Sequence, residues 1–483
     1  MTGTPVPSAD HDHRPPLDLV GIGIGAANLA LAALADGMSG GPRTAFYEQR
    51  HAWGDDTTTP LTDGATRRVP FLADLVSLAD PGSPWSFLRY LRARDRLFPF
   101  CAAGSFHIQR AEYHAYCRWV AGSLPGLRFG HQVDSVRWNP ERALFEVDFT
   151  QLDADGEAAA LGRAHTRAVV VGTGAEPYVP EPLRPLADAP SVPVVHSADY
   201  LRHRDSVLAA EHVTVVGSGQ SGAEVVLDLL RARPAGRGRL HWIGRTDSFT
   251  SAEPARLGLE HLGPDHARYL HALPPEAREA LAPHQRRLHH GIDPVTADAI
   301  HGELYRRALR DPGPGAETRA DTGADAVLVP GVRVRTAGRV ATTRVELHLE
   351  HLRQGTRSRL TTDAVVLATG YRERPVGRVL AGLDPYLRRD AGERPRTDES
   401  FRLALDPSVT GAVYVYGGDT RTHGTGAPGP WLTAWRAATV LNAVTGREVY
   451  PLPRRTAFTT FGLAAPAPAV PGPGRPLTPL ARN

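Results

Sequence analysis

The apolar positions of this chain gather into short runs separated by glycine turns. Leu17 to Gly21, interrupted only by Asp18 near its start, is one such run and Ala45-Phe46-Tyr47, closed by Glu48, another, with an alanine- and leucine-rich stretch from Asn28 to Ala35 between them. A run without polar alternation fits a strand covered on both faces, and the Ala/Leu stretch fits a helix laid across it. This order predicts a β-α-β unit, the opening of a doubly wound fold. It repeats at His212-Val213-Thr214-Val215-Val216, followed by a helix from about Ser221 to Arg231 and a strand from Leu240 to Gly244. Further buried strands are predicted at Ala168–Val171, which ends in Gly172-Thr173-Gly174, at Ala364–Leu367 and at Val413–Tyr416. Residues 82–120 carry helical patterns, 325–367 alternate as strands, and 431–444 read as a helix. Residues 251–312 are polar, helical and rich in His and Arg, the pattern of an insertion covering a site. Residues 1–16 and the Pro/Ala/Gly-rich stretch from 464 read as disordered tails.

Each strand-to-helix turn carries a nucleotide-binding fingerprint. The first holds Gly21, Gly23 and Gly25, with Asn28 in the usual third-glycine place. A helix N-terminus presents unsatisfied N–H groups to a pyrophosphate, and glycines leave room for its approach. Glu48, followed by Gln49, ends the second strand, where a carboxylate accepts bonds from ribose hydroxyls. The second fingerprint holds Gly217, Gly219, Gln220, Ser221 and Gly222. Its matching strand ends in Arg245 instead of an acid, which favours the 2′-phosphate of NADP. A third signal, Ala368-Thr369-Gly370-Tyr371, precedes Gly417-Gly418-Asp419, where Asp419 is a candidate to hold the ribityl chain of a flavin. Three signals in this order point to FAD at one site and a nicotinamide cofactor at another.

Composition narrows the picture. Hydrophobic residues make up 41% and charged residues 22%, ordinary for a globular protein, and a net charge of +3 without like-charge blocks argues against a nucleic-acid surface. Cys101 and Cys117 form no CxxC pair, which disfavours a dithiol reductase. No apolar run is long enough to span a bilayer and no signal core opens the chain, so a cytoplasmic location is expected. All 55 Lys+Arg residues are arginine, so no side chain can supply a primary amine. The histidines His284, His289 and His290 lack ligand-spaced cysteines, and no metal site is expected. Ser221 lacks a hydrolase context.

Several segments together resemble the flavin-dependent N-hydroxylating monooxygenases, the L-ornithine/L-lysine N-monooxygenase family. They are Asp18–Leu29, the blocks Phe71–Leu78 and Pro81–Phe87, Arg110–Val120, Gly217–Glu224, Ala368–Tyr371 and Thr422-His423-Gly424. The Phe71–Phe87 block is the most specific, since generic flavoproteins lack it. The resemblance spans roughly residues 17–450. It implies that NADPH reduces FAD, that oxygen adds to give a C4a-hydroperoxyflavin, and that a neutral amine becomes a hydroxylamine. It also implies flavin-side roles for Trp53, Arg68 and His423, no catalytic side chain beyond the flavin, and a possible homo-oligomer.

The departures from the family concern substrate. Where ornithine and lysine hydroxylases carry a lysine that binds the substrate carboxylate, this chain has Ala73; where Met-Gln is usual, it has Arg67-Arg68. Arg256, Arg287, His289 and Trp431 occupy other positions that the resemblance assigns to substrate. Arginine forks bind carboxylates in bidentate fashion, so these changes suggest a dianionic substrate, and L-aspartate oxidised toward nitrosuccinate in natural-product biosynthesis is the expected reading. An ornithine, lysine or diamine hydroxylase of siderophore assembly is the alternative within the family. A pyridine-nucleotide-dependent reductase of an electron carrier is the alternative outside it. The expected fold class is α/β, with two dinucleotide-binding (Rossmann-like) domains and a small helical substrate-covering region. The FAD-binding domain would take 17–190 and 363–463, the NADPH-binding domain 191–250 and 313–362, and the helical region 251–312.

Overall fold

The computed structural model describes residues 15–54, 70–104, 106–187, 192–234, 236–250, 256–289, 291–309, 325–417, 420–424 and 429–463, with backbone alone at 256, 286–289 and 420. Both tails expected to be disordered lie outside these residues, apart from Pro15 and Pro16.

Two five-stranded parallel sheets organise the chain. The first runs in the order Ala412–Val415, Ala168–Val171, Leu19–Ile22, Thr44–Glu48, Leu127–Phe129. The second runs Ala326–Val329, Leu240–Ile243, Val213–Val216, Ala364–Leu367, Val194–His196. In each sheet the strand that enters the fingerprint is central and buried on both faces, which accounts for its unbroken apolar run. The helix Ala26–Asp36 covers one face of the first sheet with Leu29, Leu31 and Leu34 fully buried, and Pro430–Thr445 packs beside it. Fully burying such a leucine stabilises by about 2 kcal/mol.

Each parallel sheet also carries a three-stranded antiparallel sheet inserted before its returning strand. His131–Asn139, Leu144–Leu152 and Ala158–Thr166 lead into Ala168–Val171; Val332–Ala341, Arg344–His351 and Arg357–Thr362 lead into Ala364–Leu367. The first insert was not expected, although its middle strand Leu144–Leu152 alternates cleanly between buried Phe145, Val147 and Phe149 and the less buried Glu146, Asp148 and Thr150. The strand Ala364–Leu367, expected to open the last FAD-domain segment, pairs with Val213–Val216 and so belongs to the second sheet. An apolar run reveals that a strand is central but not which sheet holds it. A two-stranded ribbon, Ala175–Pro177 with Tyr371–Glu373, joins the chain leaving one sheet to the chain leaving the other.

Helices Arg256–Leu259, Pro264–Ala272, Pro275–His289 and Pro294–Ala308 make up the polar region expected to be helical. The C-terminal segment is tied back onto it. Asp265 accepts bonds from Thr456 N at 2.7 Å and Ala457 N at 2.9 Å, while Glu260 accepts from Phe458 N and Thr459 N, both at 2.9 Å.

The Phe71–Phe87 block is organised by Asp74, which is 1% exposed. One carboxylate oxygen accepts from Val76 N at 2.9 Å and Ser77 N at 2.6 Å. The other accepts from Phe87 N at 2.7 Å, at the start of the helix Phe87–Ala93, and from the Ser77 hydroxyl at 2.8 Å. Burial raises the Asp74 carboxyl above its ordinary range, and these four bonds oppose that rise. Around it Phe87, Tyr90, Tyr116 and Phe100 meet ring on ring.

Candidate functional site

At the first fingerprint the turn is stitched by backbone bonds. Gly23 N donates to Tyr47 O at 2.7 Å and Gly172 N to Ile22 O at 2.8 Å. Gly23 has φ +82°, and a Cβ there would lie 2.5 Å from Gly172 O, so only glycine fits. Asn28 completes the turn: its Nδ2 donates to Ile22 O at 3.1 Å and Gly23 O at 2.7 Å. Gly25 caps the helix in extended conformation, and a Cβ on it would meet nothing within 4 Å. Space is therefore left open directly over the helix N-terminus.

Glu48 is 6% exposed and is held from several sides. Its Oε2 accepts from Ile24 N at 2.9 Å and Arg50 Nη2 at 3.1 Å; its Oε1 accepts from Arg50 N at 3.1 Å and Nε at 3.0 Å. Burial alone would raise this carboxyl, but Arg50 and the two backbone N–H groups outweigh it and hold it below the ordinary glutamate value. It is ionised at neutral pH.

These groups face a cavity of about 510 Å³ lined by Gly23, Gly25, Glu48, Gln49, Gly172–Gly174 and Arg374, among others. It opens between Leu19–Ile22 and Ala168–Val171, where the strand order of the first sheet reverses, the usual place for a ligand in an open α/β sheet. An open helix N-terminus, a carboxylate on the adjacent strand and a second glycine turn across the crevice fit an adenine dinucleotide.

The second fingerprint repeats the stitching: Gly217 N donates to Ile243 O at 2.9 Å and Ala368 N to Val216 O at 2.8 Å. Gly217 has φ +133°, with Ala368 O only 2.0 Å from any Cβ, whereas Gly219 at the helix cap is open. Arg245 is exposed just beyond the strand end that pairs with Val216. Gln220 does not face open space. Its Nε2 donates to Glu224 Oε1 at 3.0 Å and Thr296 Oγ1 at 3.2 Å, and its Oε1 accepts from Asp293 N at 2.7 Å.

At the third signal, Gly370 has φ +85° and its carbonyl accepts from Tyr178 N at 2.9 Å. Thr369 donates to Tyr178 O. Tyr371 is half exposed, with its ring against His196 at 5.3 Å. Burial lowers the His196 pKa, so the ring is neutral at pH 7 and its Nε2 meets Gly370 O at 3.1 Å.

The other expected site residues are distributed as follows. Gly21 packs over the Phe46 ring, and Gly222 over the Gly217 carbonyl, so both serve close packing. Ser221 lies in the first turn of the second helix. Trp53 is half buried against the first core. Ala73 is 1% exposed, and Trp431 is half buried at the start of its helix. His423 is buried between Phe401 and His271, with ring centroids at 4.2 and 4.8 Å, and desolvation lowers its pKa to about 3. Arg67, Arg68 and Asp419 lie outside the described residues, as do the side chains of Arg256, Arg287 and His289. Arg50 was missed, although an arginine two positions beyond the acid was a readable signal. Among the described residues, Glu211, His212 and Asp363 come within metal-ligating reach of one another. Asp363 already accepts from Arg344 Nε at 3.1 Å and His212 N at 2.9 Å, which suits a structural ion pair better than a cation.

The profile of the L-lysine 6-monooxygenase/L-ornithine 5-monooxygenase family matches residues 15–373. The chain belongs to this family. It is similar to the putrescine N-hydroxylase of Acinetobacter baumannii, at 30% identity over 92% of this chain and 93% of that protein. It is similar in structure to DfoA of Erwinia amylovora, a cadaverine monooxygenase of the desferrioxamine pathway solved with FAD. That match has a TM-score of 0.84 and 30% identity, covering 94% of this chain and 100% of the other. It is also similar to the ornithine N-hydroxylase KtzI of Kutzneria sp. 744, solved with reduced FAD, NADP+ and L-ornithine. There the TM-score is 0.77 with 25% identity, covering 89% of this chain and 99% of the other. Among the described residues no helix is long and apolar enough to cross a membrane.

Proposed function

We propose that this chain is an FAD- and NADPH-dependent N-monooxygenase whose substrate is an aliphatic diamine. FAD and NADPH are the cofactors that family membership and the solved relatives support. Of this chain's residues, Gly25, Glu48 and the Gly172–Gly174 turn would hold FAD, and Gly219 with Arg245 would hold NADPH. When bound and reduced, the flavin supplies the activated oxygen transferred to nitrogen. The protein binds, orients and excludes water. An alkylammonium has a pKa near ~10.4, so the site must also favour the neutral amine, as a dry pocket does.

The carrying observation is Ala73. It is 1% exposed and stands where the resemblance places the carboxylate-binding lysine of the amino-acid hydroxylases. A buried methyl offers nothing to an α-carboxylate, and a diamine has none. The solved cadaverine enzyme is also more similar to this chain than the solved ornithine enzyme. The aspartate reading rests on Arg67, Arg68, Arg256 and Arg287, which lie outside the described side chains, and no comparison favours it.

The test follows NADPH oxidation together with hydroxylamine formation on putrescine, cadaverine, ornithine, lysine and aspartate. The expected result is coupled turnover with a diamine, and an Ala73→Lys variant that loses it. Hydroxylamine or nitroso product from aspartate alone overturns the diamine reading in favour of the dianionic one.

A further inference from the structure

A chain of polar contacts links three parts of the molecule at the second fingerprint. Arg110 opens the helix Arg110–Ser123, which packs in the core of the first sheet. Its Nη1 donates at 3.2 Å to Oε2 of Glu224, in the helix Gln220–Ala232 of the second sheet, and the Glu224 side chain is only 2% exposed. The other Glu224 oxygen accepts from Gln220. Gln220 in turn reaches Asp293 and Thr296 at the start of the helix Pro294–Ala308. Asp293 caps that helix by accepting from Thr296 N at 3.1 Å. Tyr371, in the ribbon joining the two sheets, feels both the Arg110 and the Glu224 charge.

We propose that Arg110, Glu224 and Gln220 are positioning residues that fix the NADPH-binding helix relative to the flavin side and to the helical substrate region. This rests on the cofactor assignment above. The chemistry needs the nicotinamide delivered to the flavin at a set distance, and outside the ribbon this pair, a buried Glu224 and a 29% exposed Arg110, ties the second helix to the first sheet's helices. Removing Arg110 leaves the Glu224 charge buried and unpaired, whereas removing Glu224 leaves a partly exposed Arg110 that water can take up and loses chiefly the placement of the two halves. Neutralising both removes that penalty without restoring the tie. Gln220, whose side chain is used up in this chain, therefore acts on NADPH through placement and not by contact.

The test uses the holoenzyme with three variants, Glu224→Gln, Arg110→Gln and the double variant. Flavin content, melting temperature, NADP+ affinity by titration, NADPH KM and the ratio of hydroxylamine formed to NADPH consumed are measured for each. The expected result is retained flavin in Glu224→Gln, NADP+ affinity about tenfold weaker, a range typical of coupling between sites, and electrons diverted to hydrogen peroxide. Arg110→Gln should lower the melting temperature most. The double variant should recover that stability yet keep the weak affinity and poor coupling. Unchanged NADP+ affinity and coupling in all three overturns the proposal. So does a double variant that recovers affinity and coupling together with stability, since the pair would then matter only for folding. If wild type hydroxylates no amine while NADP+ affinity still falls in the variants, the functional reading fails and the positioning role stands.

Discussion

Glu48 offers the most quantitative handle on the first site. In Glu48→Gln the amide nitrogen cannot accept a bond, so if the remaining oxygen stays with Arg50, Ile24 N loses its partner at 2.9 Å in a buried setting. An orphaned buried N–H costs about 1–3 kcal/mol. The three Arg50 bonds also fall from charge-assisted to neutral or are lost, roughly 1 kcal/mol more after water takes up part of the load, since the Arg50 side chain is 30% exposed. The sum is about 3 kcal/mol, or roughly 3–5 °C in the melting temperature of a domain or chain of this size. The sign with pH follows from linkage. The folded-state pKa of Glu48 is depressed, so the unfolded chain binds more protons in the window below the ordinary value of 4.5, and stability there rises with pH. The contribution is fully present above 4.5 and is lost as pH falls through the folded-state pKa. Thermal unfolding of the flavin-free protein and the variant from pH 7 to pH 3.5 should show the full gap at neutral pH and a narrowing gap in acid. A gap under about 1 kcal/mol, or one independent of pH, refutes a strongly held carboxylate at this position.

Other consequences can be checked alongside. Gly217→Ala should fail to accumulate as folded protein, because its Cβ would sit 2.0 Å from Ala368 O at φ +133°. Gly219→Ala should melt like wild type yet bind NADP+ at least tenfold more weakly, because its Cβ enters the open space over the helix N-terminus. Asp74→Asn should lose about 2–3 kcal/mol by denaturant unfolding, since its amide would face the Phe87 N–H that now donates at 2.7 Å. Arg245→Ala should raise the KM for NADPH about tenfold and leave that for NADH unchanged, a split that a merely structural arginine would not produce.

The two β-α-β units were legible because each entering strand is central and therefore apolar on both faces, and because the turn that follows admits only glycine at Gly23 and Gly217. The helical character of the described part of 251–312, from Arg256–Leu259 to Pro294–Ala308, was legible from its polar, His- and Arg-rich helical pattern. The antiparallel insert from His131 to Thr166 was overlooked although its middle strand is readable: Phe145, Val147 and Phe149 are buried in alternation with Glu146, Asp148 and Thr150, while only its flanking strands blur the period of two. The assignment of Ala364–Leu367 failed for a different reason: sheet membership is a long-range fact set by pairing with Val213–Val216, and nothing within the segment records it. Arg50 was overlooked because the motif names the acid and not what neutralises it.

The fingerprint residues divide into two physical kinds that a motif match cannot separate. Gly21, Gly23, Gly217 and Gly222 lack a side chain because backbone or a ring already fills the space, and Asn28 and Gln220 spend their amides on the protein itself. Of the glycines in the two fingerprints, Gly25 and Gly219 are those over which an added Cβ meets no described residue within 4 Å. Substitutions in the first group should act on folding or on the relative placement of the two halves, and substitutions in the second on dinucleotide affinity alone. The same division explains why substrate choice is the faintest part of the pattern. A cofactor is held mainly by backbone geometry, which glycine spacing records. An amine is held by a few side chains; of the positions that the resemblance assigns to substrate, Ala73 and Trp431 are described, and Ala73 informs by what it lacks.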